Sequence, residues 1–137
     1  MTAASRLALV ALGGAGGGAA RALIAELVIH AAAAPAWSAP ALLAVNLSGS
    51  LFAGFVRGRL ERQQAAGKDG AVLDALILVG FCGGFTSYSS FVSAAAGGPL
   101  ADSVGIAAAT LVLCPLAALL GMRLSGGYPA RPAGNPR

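Results

Sequence analysis

Gly80-Phe81-Cys82-Gly83-Gly84-Phe85-Thr86-Ser87-Tyr88-Ser89-Ser90-Phe91 lies inside a run of 27 residues, 75–101, that holds no Asp, Glu, Lys or Arg. A span of the bilayer takes about 20 mostly apolar residues, so the run is long enough to cross. Its middle does not read as continuous helix. A glycine pair followed by Thr and Ser reads as one half-helix ending and a second starting, with Thr86 or Ser87 capping the second start. Backbone exposed by such a break is tolerated at membrane depth only where protein buries it or it coordinates something. The expected fold is therefore an all-α integral membrane protein whose third helix is broken mid-membrane.

Working outward, the rest of the chain agrees with that environment. Of its 137 residues 57% are hydrophobic and 10% charged, against about 25% charged in an ordinary soluble domain. The mean hydropathy is +0.78. Further charge-free runs cover 27–56 and 103–122, and only Arg21 interrupts 7–25. These runs predict four membrane helices, about 7–31, 38–56, 72–97 and 102–123, forming one membrane domain over 1–124. Arg57-Gly58-Arg59-Leu60-Glu61-Arg62-Gln63-Gln64 reads as the one strongly polar loop, and the Gly/Pro-rich segment 125–137 as a disordered tail. The first apolar run is too long for a cleaved signal peptide and only Arg6 precedes it, so it is expected to remain as a helix.

Four spans put both termini and the second connection on one side. That side carries Arg6, Arg57, Arg59, Arg62, Lys68, Arg123, Arg131 and Arg137, and the other carries no Lys or Arg. The positive-inside rule then places both termini in the cytoplasm of a multi-pass protein of the cell membrane. The net charge of +4 is topogenic on this reading. A nucleic-acid partner would need a soluble basic face interleaved with aromatics, which the chain lacks.

Little chemistry is available for catalysis. One histidine and five carboxylates are scattered along the chain, and no carboxylate pair, Ser/His/Asp set or metal-ligand cluster can be assembled from them, so the chain is not read as an enzyme. Cys82 and Cys114 are solitary residues within apolar helices and read as small buried side chains. Gly13-Gly14-Ala15-Gly16-Gly17-Gly18 has the look of a phosphate loop, but no strand precedes it and it sits inside a span. The pairs Gly13/Gly17 and Gly14/Gly18, and the stripe Asn46, Ser50, Gly54, Gly58 on the second helix, instead read as faces where helix backbones meet.

Two polar residues within the spans each admit two roles. Asn46 serves either as an interhelical hydrogen-bonding group or as a pore-lining donor. Arg21, some 21 Å along the first helix at about 1.5 Å per residue, either snorkels to the interface or holds an anion vestibule positive. Beyond the break, Tyr88 and Phe91 share a face, with hydroxyls of Thr86, Ser90, Ser89 and Ser93 on adjacent faces. Electropositive ring edges beside such donors suit a small anion, whereas aromatic core packing with serines bonded to backbone remains the plainer alternative.

These segments resemble the Fluc (CrcB) fluoride-channel family. Gly13-Gly14 through Arg21 is similar to its first-helix pattern, Asn46-Leu47-Ser48-Gly49-Ser50 to its Asn-x-x-Gly pattern, and 80–91 to its third-helix signature. The resemblance runs over nearly the whole chain. It implies a fluoride-selective passive channel of two antiparallel subunits, with two fluoride pores lined by both chains and a structural sodium ion at the dimer centre. By position it makes the backbone carbonyls of Gly83 and Thr86 the sodium ligands. Asn46 becomes the pore amide, Tyr88 and Phe91 the two positions of the aromatic box, and Arg21 the first-helix arginine of the vestibule. Ser90 and Thr110 supply pore hydroxyls, Thr110 by the looser match. The chain departs from the family at Tyr88, where Phe is usual, and at Ala94, where many members carry Glu.

A channel of this kind replaces fluoride's water with the Asn46 amide, hydroxyls and ring edges, and lets the ion run down its gradient out of the cytoplasm. Two other classes fit the composition. A small four-helix drug/proton antiporter needs a membrane carboxylate, for which only Glu26 is available. A non-transporting membrane assembly protein would use the glycine stripes and offers no reason for the broken helix. The charge map adds a constraint on assembly. An antiparallel homodimer needs one sequence to insert both ways, and eight cations against none opposes this, so the expected partner is a homologous chain of inverted topology. C-terminal reporter fusions are accordingly expected to report one orientation; equal populations on both sides would favour the homodimer.

Overall fold

The computed structural model describes residues 1–32, 39–86 and 100–126. Among the described residues the chain is helical, with α1 Ala3–Ala32, α2 Ala39–Ala65, α3 Ala71–Phe85 and α4 Leu100–Leu124. Three of these contain apolar stretches long enough to cross a membrane, Ala3–Leu27, Ala41–Ala65 and Val104–Leu124. The fourth, α3, is apolar and shorter.

The helix ends follow from local chemistry. Thr2 Oγ1 accepts the Ser5 amide at 3.2 Å, capping α1. At the end of α2, Gly67 takes φ +73° and the Lys68 amide reaches back to the Gln63 carbonyl at 2.9 Å. This is a Schellman closure, which a residue with a Cβ would strain. The Asp69 carboxylate then accepts the Ala71 amide at 2.9 Å, starting α3 two residues on.

This geometry corrects one boundary. The polar segment 57–64, expected as a loop after a helix ending at 56, is the last part of α2. Arg, Leu, Glu and Gln are good helix formers, Arg57 Nε bonds Glu61 Oε1 at 3.0 Å one turn on, and Leu60 is 1% exposed. The true connection is the short stretch 66–70.

The packing directions can be read residue by residue. A Cβ on Gly13 would run into the Leu76 carbonyl, and one on Gly17 into the Phe81 carbonyl, so α1 and α3 run parallel at backbone contact. Gly54 meets Ala118, and Gly58 meets Met122 and Ser125, so α2 and α4 also run parallel. Between the pairs, Gly49 faces Phe85 and Thr86 while Gly70 faces Leu60, which makes α2 antiparallel to α3. Arg6 pairs with Asp74 at 3.5 Å and Arg62 Nη1 donates to the Ser125 carbonyl at 2.9 Å. The start of α1, the α2–α3 connection and the end of α4 therefore share one end of the bundle.

Such contacts leave no room for a methyl group, and overpacking costs about 1–3 kcal/mol. Gly18, with open space where a Cβ would stand, is the internal control. Gly17→Ala and Gly54→Ala are each expected to lower the thermal stability of the solubilised protein, and Gly18→Ala to leave it unchanged.

Candidate functional site at the break in the third helix

The third helix is unusual from its second turn. Residues Asp74–Phe81 form a π-helix, and the Cys82 amide bonds the Ile77 carbonyl five residues back. Such wide turns are rare and are found frequently at functional sites. One α-helical turn follows, Cys82–Phe85, and then Thr86 turns to extended backbone at φ −77°, ψ 149°. At about 1.5 Å per residue the 15 residues from Ala71 to Phe85 rise about 22 Å, short of the 30 Å or so of a hydrocarbon core. The helical ladder thus stops inside apolar surroundings.

Thr86 belongs to the first half-helix. Its amide and its Oγ1 both donate to the Cys82 carbonyl, at 3.0 and 2.9 Å. Its hydroxyl donates four residues back along its own helix, and the second half-helix that Thr86 or Ser87 was expected to cap lies outside the described residues. Its extended backbone ends the helical dihedrals of α3. Gly83, just before, is exposed, with nothing near the position of a Cβ.

Two helices bring groups to the break. Gly84 of α3 lies against Gly14 of α1, and Gly49 of α2 lies against Phe85 and the Thr86 methyl. Asn46 is three residues from Gly49 and so on the same side of α2. Its side chain is buried, 8% exposed, and engaged within the fold. Arg21 is half-buried and likewise engaged. Thr110 is half-buried on α4, where its Oγ1 donates to the Ile106 carbonyl at 2.8 Å. Tyr88, Ser90 and Phe91 lie outside the described residues. Cys82 and Cys114 are both free thiols.

A second aromatic group, absent from the reading of the sequence, borders the break. Phe52 of α2 meets Phe81 edge-on at 6.0 Å between ring centres, and Phe81 stacks on Phe85 at 5.9 Å. With Ser48, Gly49 and Cys82 these rings line an apolar cavity of about 330 Å³. The four-residue spacing of Phe81 and Phe85 was a usable signal; the contribution of Phe52 depends on helix pairing.

A helical chain with three helices, among its described residues, long and apolar enough to cross a membrane is built as a small integral membrane protein. It matches, over residues 8–122, the family described as CrcB-like protein, Camphor Resistance (CrcB). The chain belongs to this family, the Fluc/CrcB fluoride-channel family, and the resemblance stated from its residues is borne out. That is a family of channel-type membrane proteins and not of enzymes. No curated protein and no solved structure gives a significant match.

The Thr110 hydroxyl proton is committed to its own helix in this conformation. Thr110→Val is therefore expected to leave fluoride flux within about twofold and stability nearly unchanged, since such back-bonding contributes little. A tenfold loss of flux would show that the hydroxyl swings out to meet the ion.

Proposed function

We propose that the chain is one subunit of a fluoride-selective passive channel that lowers cytoplasmic fluoride, formed by two antiparallel subunits. The observation that carries this reading is the end of the α3 ladder at Thr86 inside the apolar region, in a chain of the CrcB family. An assembly protein gains nothing from that interruption. In a channel the end of the ladder would offer carbonyls to an ion beside the face of α2 that carries Gly49 and Asn46.

Asn46 is the anion donor on this reading, with Tyr88, Phe91 and Ser90 completing the path and Arg21 holding its approach positive. Fluoride is small and strongly hydrated, so the donors must replace its water and still release it. A sodium ion fits the chemistry of the break. The Gly83 and Thr86 carbonyls are hard oxygen donors, Gly83 is exposed, and extended Thr86 leaves the helical ladder. Two carbonyls are too few for a cation's shell, so the same pair from a second subunit would complete it. When bound, the ion supplies a fixed positive charge between the pores. Gly83 and Thr86 would hold it, while Gly14 and Gly49 keep their backbones in place through contact at Gly84, Phe85 and Thr86.

The second subunit is a homologous chain of inverted topology, and this chain sits in the cell membrane with both termini in the cytoplasm. The eight cations on one side and none on the other support both statements.

The test is ion efflux from liposomes loaded with sodium fluoride or sodium chloride. The chain with its homologous partner is expected to release fluoride rapidly and retain chloride, and Asn46→Leu to slow release at least tenfold. Flux from this chain alone would replace the heterodimer by a homodimer; no fluoride flux with or without the partner would overturn the channel.

A further inference from the structure

The polar end of α2 bears a second feature that ion permeation does not use. Arg59, Arg62, Gln63, Ala66 and Lys68 line a cavity of about 370 Å³. Among the described residues three cations and no carboxylate line it, the charge pattern of an anion site. The cations are also held in place. Arg59 stacks its guanidinium over the Phe55 ring at 5.2 Å and meets no carboxylate among the described residues. Arg62 is anchored through Nη1 to the Ser125 carbonyl at 2.9 Å, which leaves its remaining N–H groups for a ligand. Lys68 is fixed at the base of its chain by the turn at Gly67.

The position of the cavity identifies the kind of anion. On α2, Phe52, Phe55, Arg59, Arg62 and Ala66 recur at spacings of three and four, which is one helical stripe. Along it the order is aromatic, aromatic, cation, cation. The aromatic part lies in the membrane-length stretch Ala41–Ala65, and Phe52 is 43% exposed. The cations begin where the charge-free run ends, at 57, which is where headgroups stand. A phosphate in the cavity with hydrocarbon running down over Phe55 and Phe52 matches this order; free phosphate would leave the aromatic half of the stripe without a role.

We propose that the cavity lined by Arg59, Arg62 and Lys68 is a binding site for the headgroup of an anionic phospholipid, whose acyl chains lie along Phe55 and Phe52. Phe52 also borders the break, but Arg59, Arg62 and Lys68 do not, so the headgroup site can fail while the channel reading holds, and the reverse.

Native mass spectrometry of the purified full-length chain with phosphatidylglycerol or phosphatidylcholine tests it. A cation near an anionic surface is worth about a fivefold change in affinity. The double variant Arg59→Gln/Lys68→Gln is therefore expected to lose phosphatidylglycerol binding by about 25-fold. Arg6→Gln/Arg57→Gln removes two charges outside the cavity and is expected to keep it. Equal binding of phosphatidylcholine, an equal loss in the control pair, or retention in the cavity pair would overturn the site. Displacement of the lipid by millimolar inorganic phosphate would overturn the lipid and assign the cavity to a free anion.

Discussion

A helix that stops inside hydrocarbon leaves backbone groups that lipid cannot satisfy, and each such group costs several kcal/mol. The packing of this chain is arranged around that cost. Thr86 turns its amide and its hydroxyl onto one carbonyl, that of Cys82, while Gly49 and Gly14 allow α2 and α1 to close on the two flanks of the break. A Cβ on Gly49 would press on Thr86 and Phe85, and one on Gly84 would run into the Gly14 backbone. The small-residue faces on α1 and α2 thus do more than glue helices together, because they bring protein backbone to the one place where lipid must be excluded. The π-helix upstream belongs to the same arrangement, since its residues Leu76, Gly80 and Phe81 meet α1 at Gly13 and Gly17.

The legibility of the sequence followed physical periodicity. Apolar run length fixes the number of helices, and the small-xxx-small spacing of Gly13/Gly17 and Gly54/Gly58 identifies faces that the structure places in contact. The end of the α3 ladder at Thr86 falls where a glycine pair is followed closely by Thr and Ser within the apolar run. Three features were not visible. The helical state of 57–64 was hidden because charge in that segment signals water equally for a loop and for a helix leaving the membrane. The π-helix has no composition of its own, and Asp74–Phe81 looks like any apolar helix. The cluster of Phe52 with Phe81 depends on which face of α2 turns to α3, which pairing alone decides. Thr86 and Asn46 stood out by residue type, being polar within apolar runs, whereas the commitment of the Thr110 hydroxyl to Ile106 depends on a rotamer.

The basic end ties the fold to its orientation. Arg6 with Asp74 joins α1 to α3, Arg62 with the Ser125 carbonyl joins α2 to the end of α4, and Arg57 with Glu61 joins successive turns of α2, all at the same end of the bundle. Surface ion pairs of this kind add little stability, about 0–1 kcal/mol each. Their consequence is geometric: they hold the cations beside the end of the apolar stretch, where charge decides insertion.

Pairing those cations with carboxylates does not remove them from the topological balance. Orientation responds to Lys and Arg near the span ends, and Asp and Glu contribute little to it. The partners Asp74 and Glu61 therefore leave Arg6 and Arg57 counted in full. Arg59 and Lys68 add to the same side, and the tail arginines are not needed for the sign of the bias. The cations that carry the bias are thus those at the helix ends themselves, on the end of the bundle that the Arg6–Asp74 pair and the Arg62–Ser125 bond hold together.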